Sequence, residues 1–397
     1  MHLIRLALKN IRGSGFRSTA IFLCVTGIAA FLLSTTLIIN GSQNSLNAGI
    51  KRMGADIIVV PQGAEDKVET ALLMGKPTNV WMPEQNDRKI ASMPGVDVVS
   101  PQIFLTSLYG ASCCAVSEMF MVVYDPQTDF TVTPWIERHL KQPLAKGEVI
   151  GGTYIFVPPG EKGIKLYGYY TTLKGNLEPT GTGIDQTLFM TIDTAQEMAK
   201  SSLTTAQSPL QVPANSISAI MVKAKPGTDV HRLALQILRD TTGMYPIESP
   251  NLFGAFRSQM NGLLWGFFAL TVIIWVLAAV LMGVIFSMAA NERRREMAVL
   301  RAVGARPGFV FRLILTEASI LAAAGAVVGI SIAAAGLYIF KDFVATSLRM
   351  PFLFPSIGVL AVMFIGGVAL AVATVTLSAS FPAVRASRQE LAISMRE

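Results

Sequence analysis

The chain has 397 residues, of which 51% are hydrophobic and 15% are charged. The apolar residues are concentrated in a few runs, which excludes an ordinary soluble protein and predicts a membrane protein. The net charge of +7 is uneven: residues 42–261 carry 18 Lys and Arg against 20 Asp and Glu, and the rest of the chain carries 15 against 6, a balance of +9. Each basic cluster adjoins an apolar run. Attraction to anionic lipid explains these clusters, so a nucleic-acid partner is not expected.

Four uncharged runs are long enough to cross a bilayer, which takes about 20 residues. They are Thr19–Ile39, Gly262–Ala289, Ala318–Phe340 and Ser356–Ser380. Because Lys and Arg mark the cytoplasmic side, both termini and the loop 291–312 are predicted inside, and the segment 42–261 and the loop 341–355 outside. The residues that set this orientation are Arg5, Lys9, Arg12, Arg17, Arg293, Arg294, Arg295, Arg301, Arg306, Arg312, Arg385, Arg388 and Arg396. We therefore expect a multi-pass membrane protein with both termini in the cytoplasm.

The N-terminal segment 1–17 places Ile4, Ala7, Leu8 and Ile11 at helical spacing, which predicts a short amphipathic helix at the inner membrane surface. The apolar run that follows is longer than the central region of a secretory signal peptide, and no small-residue cleavage site clearly ends it. It is interpreted as an uncleaved span.

The first two spans are predicted to continue beyond the membrane as a stalk. No charged residue occurs between Arg17 and Lys51 or between Arg257 and Glu292. Each gap exceeds 30 residues, and a helix of that length is longer than the hydrocarbon core of about 30 Å. Residues 18–50 and 251–290 are therefore each interpreted as a span with a stalk that carries the external segment.

The external segment 51–250 is predicted to be an α+β domain of two subdomains, in which residues 147–215 are inserted as the second. Strands are expected at Asp56–Val60, Val96–Leu108, Phe120–Tyr124, Tyr167–Leu173, Ile217–Lys223 and near Tyr245, and helices at Pro83–Ala91 and Val230–Leu238. The inserted part is expected to be antiparallel because it is dense in Gly and Pro. The last strand, helix and strand form a βαβ-like unit that would complete the fold begun by residues 55–108.

The third and fourth spans, in segments 313–340 and 356–380, are expected to be helices of bilayer length, followed by a cytoplasmic tail at 381–397. Gly325 and Gly329 form a small-xxx-small pair that favours close helix packing. No Asp, Lys, Arg or His lies inside any of the four runs. A transporter that moves a polar solute through its membrane core usually needs such groups, so the work is expected to occur outside.

The loop 291–312 contains an apolar stripe of Met297, Leu300 and Val303 beside a basic cluster, and Gly304 is a natural helix stop. A short amphipathic helix between two spans can be covered by a protein partner or can lie flat on the inner leaflet. Periodicity alone does not decide between the two.

Three segments together resemble permeases of the MacB and FtsX type, members of the ABC superfamily described as mechanotransmission transporters. They are NERRREMAVLRAVGARPGFVFRLILTEASILAAAGAVVG, LALKNIRGSGFRSTAIFLCVTGIA and FPAVRASRQELAISMRE. The layout of one large domain followed by three spans is also similar. In the external domain the resemblance is one of layout alone.

This resemblance implies a location in the bacterial inner membrane. It also implies a dimer of permeases, with like or unlike copies, bound to two cytoplasmic ATPase subunits. Residues that match the family's coupling helix, which seats in a groove of the ATPase, are Glu296, Met297, Leu300, Arg301, Ala302, Gly304 and Ala305. Glu317 matches a Glu common at the start of the third span, although an acid favoured by the helix dipole is an equal interpretation. The chain has no GxxxxGK[ST] segment, so ATP and Mg²⁺ are expected on the separate ATPase.

Cys113 and Cys114 are adjacent thiols in the external segment, whereas Cys24 lies in the first span and is interpreted as packing. The pair could form a strained vicinal disulfide, a soft-metal or thiol-exchange site, or intermolecular bridges. Met119 and Met121 lie nearby, and thiolate with thioether suits Cu(I). Against a metal, strand alternation could bury both methionines, and two thiols make an incomplete ligand set.

The remaining polar candidates favour structural roles. His139 and His231 are isolated, and Asp125 and Asp129 flank Pro126 in a predicted turn. No nucleophile, base and acid set is recognisable, so the chain is not expected to be an enzyme.

The sequence therefore predicts the permease subunit of an ABC transporter, which uses ATPase action to move its external domain and to export or extract a substrate. A periplasmic or membrane-fusion partner would fit this function. Two alternatives stay open. One is a transition-metal (iron or copper) or haem transport permease that uses the region of Cys113 and Cys114, and the other is a non-transporting regulator of a cell-envelope partner such as a cell-wall hydrolase or sensor.

Overall fold

The computed structural model describes residues 3–107, 119–252, 254–292, 299, 305–347 and 350–388. They belong to two compact units. The helical unit comprises Met1–Asn40, Met260–Phe340 and Phe354–Glu397, and the α+β unit comprises Gly41–Gln259 and Lys341–Leu353. The chain therefore enters the α+β unit twice.

The described helices range in length from a single 3₁₀ turn to 40 residues. In chain order they are α1 (Leu3–Gly13), α2 (Gly15–Met53), α3 (Glu65–Met74), α4 (Gln85–Ala91), α5 (Thr133–His139), a 3₁₀ turn (Gly183–Gln186), α6 (Ile192–Thr205), α7 (Val230–Asp240), α8 (Gly254–Glu292), α9 (Pro307–Thr346) and α10 (Ile357–Arg388).

Four helical segments are long and apolar enough to cross a membrane. They are Gly15–Met53, Trp265–Ala289, Pro307–Thr346 and Ile357–Arg385. The prediction of four membrane-crossing helices, with the large α+β segment between the first and the second, is confirmed. The chain is a multi-pass membrane protein.

The expectation that the third and fourth spans have bilayer length is wrong. Helix α9 has 40 residues and α10 has 32, so α9 is about 60 Å long against a hydrocarbon core of about 30 Å. The predicted limits of the third span were set by the flanking charged residues Glu317 and Lys341. A helix nevertheless continues through isolated charges such as Glu317 and Lys341, because its backbone hydrogen bonds do not depend on side-chain polarity.

The described strands of the α+β unit are short and numerous. They are β1 (Ile57–Pro61), β2 (Met82–Pro83), β3 (Val96–Thr106), β4 (Phe120–Tyr124), β5 (Glu148–Gly151), β6 (Ile164–Leu166), β7 (Tyr169–Asn176), β8 (Thr187–Thr191), β9 (Ser216–Ile217), β10 (Ala219–Ala224) and β11 (Met244–Glu248).

Nine of these strands form one sheet in the order β11-β1-β10-β3-β4-β8-β5-β7-β6, and β2 pairs with β9. Each neighbouring pair among the first four strands of that order is antiparallel. Because β10 and β11 both run antiparallel to β1, they are parallel to each other, with α7 as the crossover between them. This is the split βαβ arrangement of ferredoxin-like folds. It agrees with the βαβ-like unit predicted for the last strand, helix and strand of the external segment.

Both faces of the sheet are covered. In β1, Ile57 and Val59 belong to one buried cluster and Ile58 and Val60 to the other. Side chains alternate across a strand, so a strand with consecutive buried apolar residues must have a core on each side.

The region 147–215 contributes β5 to β8 and α6, and the nine-stranded sheet joins these strands to the rest. The antiparallel expectation for this region is wrong in part, because β5 pairs in parallel with β7 and β8 in parallel with β4. The chain from β4 (ending at Tyr124) to β8 (beginning at Thr187), and from β5 (ending at Gly151) to β7 (beginning at Tyr169), is long enough for the crossover that parallel pairing requires. The boundaries 147 and 215 stay a prediction.

Smaller differences from the sequence expectations have local causes. Helix α4 begins at Gln85, because Pro83 pairs in strand β2. The expected strand Ile217–Lys223 is split at Ser218, whose hydroxyl oxygen accepts a hydrogen bond from the Phe104 N–H at 2.8 Å. Helices α3, α5 and α6 were not predicted.

Candidate functional site

The predicted coupling segment lies between α8, which ends at Glu292, and α9, which begins at Pro307. Glu296, Met297, Leu300, Arg301, Ala302 and Gly304 lie outside the described residues. Ala305 is described, half-buried, just before α9. The structure thus describes the two helices that flank the segment.

Glu317 lies on α9 and is 7% exposed. The Asn10 side-chain amide donates to Glu317 Oε1 at 2.5 Å, and the Arg17 guanidinium lies 3.7 Å from Oε2. Asn10 belongs to α1 and Arg17 to α2, so one carboxylate links three helices. The helix-dipole interpretation is wrong, because Glu317 lies ten residues after Pro307 and the dipole acts within about the first turn.

The chain between α1 and α2 is held by the same polar cluster. Arg17 donates to Ser14 Oγ at 2.8 Å, and the Ser18 hydroxyl donates to the Ile11 carbonyl oxygen at 3.1 Å. A buried carboxylate is costly unless it is hydrogen-bonded and paired. These partners hold α1, α2 and α9 together within the helical unit.

Gly325 and Gly329 on α9 face the backbone of α2. A Cβ at Gly325 would lie 2.9 Å from the Phe22 carbonyl oxygen, and a Cβ at Gly329 would lie 2.2 Å from the Thr26 carbonyl oxygen. The two helices therefore approach as closely as small residues allow.

A cavity of about 270 Å³ lies between α2, α8 and α10. Its lining is apolar apart from hydroxyl groups and an indole. The lining includes Ala29, Ala278, Ala279, Gly366, Gly367 and Ala371, with Thr36, Trp275 and Thr374. The Trp275 indole N–H donates to the Thr374 hydroxyl oxygen at 3.1 Å. None of the described residues that line this cavity is ionisable, so it has the character of hydrocarbon rather than of a polar solute path.

In the α+β unit, a buried carboxylate organises the glycine-rich loop before β8. Asp185 accepts from the Thr180 N–H at 2.8 Å, from the Thr180 hydroxyl at 2.8 Å and from the Gly181 N–H at 2.6 Å. Burial raises the pKa of Asp185, and these hydrogen bonds counteract that shift. The loop is rigid because its backbone donors converge on one side chain.

Glycines of elements distant in sequence pack closely against this loop. A Cβ at Gly49 would lie 2.8 Å from Thr182 Cγ2, and a Cβ at Gly183 would lie 1.9 Å from the Gly75 nitrogen. Gly49 belongs to the last turns of α2 and Gly75 follows α3. The loop is thus a junction for the end of α2 within the α+β unit.

Arg52 fixes the last turn of α2 within the same unit. Its guanidinium donates to the Glu178 carbonyl oxygen at 2.9 Å and lies 5.9 Å from the centre of the Trp135 ring. Desolvation by burial lowers the pKa of Arg52, and the charges of Glu178 and Asp185 oppose that shift. The junction and Arg52 were missed by the sequence analysis; the Thr-Gly-Thr-Gly run at 180–183 was the available signal.

The residues proposed for metal or redox chemistry are not brought together in the described part of the chain. Cys113 and Cys114 lie outside the described residues. Met119 is 7% and Met121 0% exposed, and both belong to the hydrophobic core of the sheet. Among the described residues, no group of three or more His, Cys, Asp or Glu could hold a metal ion.

The other polar candidates have structural partners. His231 Nδ1 lies 2.7 Å from Glu248 Oε1. Asp129 accepts from the N–H groups of Val132 and Thr133, each at 2.7 Å, at the start of α5. Asp125 accepts from the Gln127 N–H at 3.0 Å, as a turn residue does. The side chain of His139 lies outside the described part.

Comparison with known proteins finds a family match for the C-terminal part of the chain. Residues 268–390 match the family described as FtsX-like permease C-terminal. No curated protein matches the chain. Among solved structures, the chain is similar to the periplasmic region of MacB from Actinobacillus actinomycetemcomitans, with 11% identity, a TM-score of 0.33, and coverage of 52% of this chain and 95% of that chain. It is also similar to the extracellular domain of the noncanonic ABC-type transporter YknZ from Gram-positive bacteria, with 9% identity, a TM-score of 0.27, and coverage of 49% and 99%.

The assignment rests on the family match, because both TM-scores are low. The matched residues include most of α8, all of α9 and α10, and the predicted coupling segment. Residues 268–390 are therefore similar to the C-terminal part of FtsX-like permeases. They lie in a chain with four membrane-crossing helices and a large α+β segment between the first two.

Proposed function

We propose that this permease converts ATP binding and hydrolysis by separate ATPase subunits into movement of its α+β unit, and thereby exports or extracts a substrate. The observation that carries the proposal is the course of α2. This helix is unbroken over 39 residues, of which residues 15–40 belong to the helical unit and residues 41–53 to the α+β unit. A continuous helix transmits displacement along its axis, because its hydrogen bonds resist extension.

The positions of Lys and Arg support an orientation with both termini and the segment 291–312 in the cytoplasm of a bacterial cell and the α+β unit outside the inner membrane. In that orientation the predicted coupling segment faces the ATPase.

The apolar cavity between α2, α8 and α10 argues against passage of a polar solute between the membrane helices. It therefore favours a function carried out by movement of the α+β unit. Transporters of polar solutes place ionisable or polar groups at the membrane midplane. The described residues lining this cavity carry no charge, so substrate handling is assigned to the α+β unit.

The partners follow from the same function. ATP and Mg²⁺ bind the ATPase subunits, because this chain has no phosphate-binding GxxxxGK[ST] segment. A second permease copy, identical or related, completes the complex, and a periplasmic or membrane-fusion protein can receive the movement of the α+β unit.

The substitution Leu300→Asp tests the coupling segment. A carboxylate in the apolar stripe opposes docking into a protein groove, so the ATPase should no longer copurify with the permease. Leu300→Met, which keeps an apolar side chain of similar volume, serves as the control and should retain the ATPase. Circular dichroism and protease resistance should show that the α+β unit of both variants is folded.

Copurification of the ATPase with Leu300→Asp at the wild-type level would contradict the assignment. ATPase activity of the wild-type complex then separates the kinds of function. Stimulation by Cu(I), lost in a Cys113→Ser and Cys114→Ser double variant, would replace the proposal with metal transport. Stimulation by a protein partner alone would replace it with regulation of that partner.

A further inference from the structure

The segment Lys341–Leu353 belongs to the α+β unit, although it connects α9 to α10. Its last two residues are fixed by their backbone. The Phe352 N–H donates to the Gly181 carbonyl oxygen at 3.0 Å, and the Leu353 N–H donates to the Gly41 carbonyl oxygen at 3.1 Å. Two consecutive amides thus bind two separate elements, the Asp185-ordered loop and α2.

The socket that receives Phe352 depends on two glycines. Phe352 is 6% exposed, and a Cβ at Gly41 would lie 2.5 Å from its ring atom Cε2. A Cβ at Gly181 would lie 2.4 Å from the Phe352 carbonyl oxygen, and Gly181 has φ of +73°, a conformation that favours glycine. Side chains at these two positions would displace the segment.

The other end of the segment is held by side chains. Gln186 Nε2 donates to the Ala345 carbonyl oxygen at 3.1 Å, and the Tyr154 hydroxyl donates to Asp342 Oδ1 at 3.0 Å. Gln186 ends the 3₁₀ turn that contains Asp185. Both ends of the segment therefore contact the region around one buried carboxylate.

Helix α9 connects this segment to the predicted coupling segment. It is unbroken from Pro307, beside the coupling segment, to Thr346, which lies within the bound segment. A rigid helix of 40 residues would carry a displacement from one end to the other.

We propose that the described residues of this segment, 341–347 and 350–353, form a strap that drives the α+β unit through α9, with Phe352 as the positioning residue seated between Gly41 and Gly181. This inference rests on the proposed function and adds a second route of transmission to the one along α2. The route runs from the coupling segment through α9 and the strap to the Asp185-ordered loop.

Hydrogen exchange in the complete permease and ATPase complex, reconstituted in lipid nanodiscs, tests the strap. In Phe352→Ala, exchange of the amides at positions 352 and 353 should accelerate by about a hundredfold, because the buried ring that seats them is lost. The ATPase should still copurify with unchanged basal hydrolysis. The change in α+β-unit exchange that ATP with vanadate induces in the wild type should fall by more than half.

Two further variants keep the test specific. Phe156→Ala removes a phenylalanine of the α+β unit that is 69% exposed, and it should match the wild type in all three measurements. Gly41→Ala places a methyl group against the Phe352 ring and should give the same result as Phe352→Ala. If Phe352→Ala does not fold, the test is made with Gly41→Ala instead.

The outcomes separate the strap from the proposed function. Fast exchange at residues 352 and 353 in the wild type, or a full ATP response in a variant whose strap amides exchange freely, would overturn the strap. The absence of any ATP-induced change in the wild-type α+β unit would overturn the proposed function, and with it the route through α9.

Discussion

Gly329 on α9 lies against Thr26 on α2 so closely that a Cβ at Gly329 would be 2.2 Å from the Thr26 carbonyl oxygen. Between membrane helices there is no hydrophobic driving force, and association depends on close packing and hydrogen bonds. This contact therefore determines how tightly α2 and α9 can pack.

Gly329→Ala is expected to destabilise the permease, because the added methyl group must push the two backbones apart. The cost of such overpacking is about 1–3 kcal/mol, and it should appear as a lower Tm of the detergent-solubilised chain. Gly336→Ala on the same helix is the matched control, since no atom of the described residues lies within 4 Å of its Cβ position. The control should keep or raise the Tm, because alanine favours helix more than glycine does. Equal Tm values for the two variants would show that α2 and α9 do not pack through Gly329.

Glu317→Ala is expected to release α1, because it removes the carboxylate that accepts from Asn10 and faces Arg17. Removing one partner from a buried polar cluster costs about 1–3 kcal/mol. Trypsin sites at Arg5, Lys9 and Arg12 in α1 report this release, and their cleavage should accelerate in the variant. Glu317→Gln keeps an acceptor oxygen for Asn10 and should accelerate cleavage less. Unchanged cleavage in Glu317→Ala would mean that α1 is held by other contacts.

The elements that sequence reasoning predicted well carry strong local patterns. The four spans are uncharged runs, and Phe120–Tyr124 and Val230–Asp240 are bounded by turn or capping residues. Helix α6 was missed because its Ser and Thr residues favour helix weakly. Thr191 caps this helix by accepting from the Thr194 N–H, and burial of Ala195 and Met198 in the core holds it.

The junction around Asp185 could not be predicted, because its partners are distant in sequence. Gly49, Gly75 and Phe352 contact the loop from positions far away in the sequence. A buried acid inside a Gly-rich loop has the same local sequence as an exposed turn. The coupling residues were identified by resemblance to a family, and their roles stay a prediction.

Asp185→Ala is expected to lower the free energy of unfolding of the permease by about 2–4 kcal/mol, because the Thr180 and Gly181 donors lose a buried acceptor. Chemical unfolding monitored by tryptophan fluorescence measures this loss. Gly175→Ala, where the nearest described atom lies at an ordinary 3.8 Å, is the control and should change stability little. A loss no larger than that of the control would show that the loop does not depend on Asp185.

The stability of the α+β unit should also depend on the ionisation of Asp185. Burial raises the pKa of this carboxyl above its ordinary value of 3.8. A raised pKa in the folded state stabilises the protein below the ordinary value, and this contribution is lost as the pH rises through the folded pKa. The unfolding free energy of the wild type relative to Asp185→Asn should therefore increase as the pH falls into the acid range. A difference independent of pH would contradict the raised pKa.

His231 on α7 should titrate above its ordinary value because of Glu248 on β11. The hydrogen bond to Glu248, then its charge, raise the pKa of His231 above 6.5. Glu248→Gln keeps an oxygen acceptor and removes the charge, so the His231 pKa should fall towards its ordinary value in NMR titrations of the histidine-labelled chain. His231→Gln assigns the signal.

The stability carried by the pair of His231 and Glu248 is complete at pH below the ordinary histidine value and is lost as the pH rises through the raised pKa. Because the His231 side chain is 67% exposed, solvent screens the interaction and its effect on stability should be small. A His231 pKa that stays the same in Glu248→Gln would show that these two groups do not interact in solution. In that case packing of Leu233 and Ile237, both buried on α7, would be what positions α7 on the sheet.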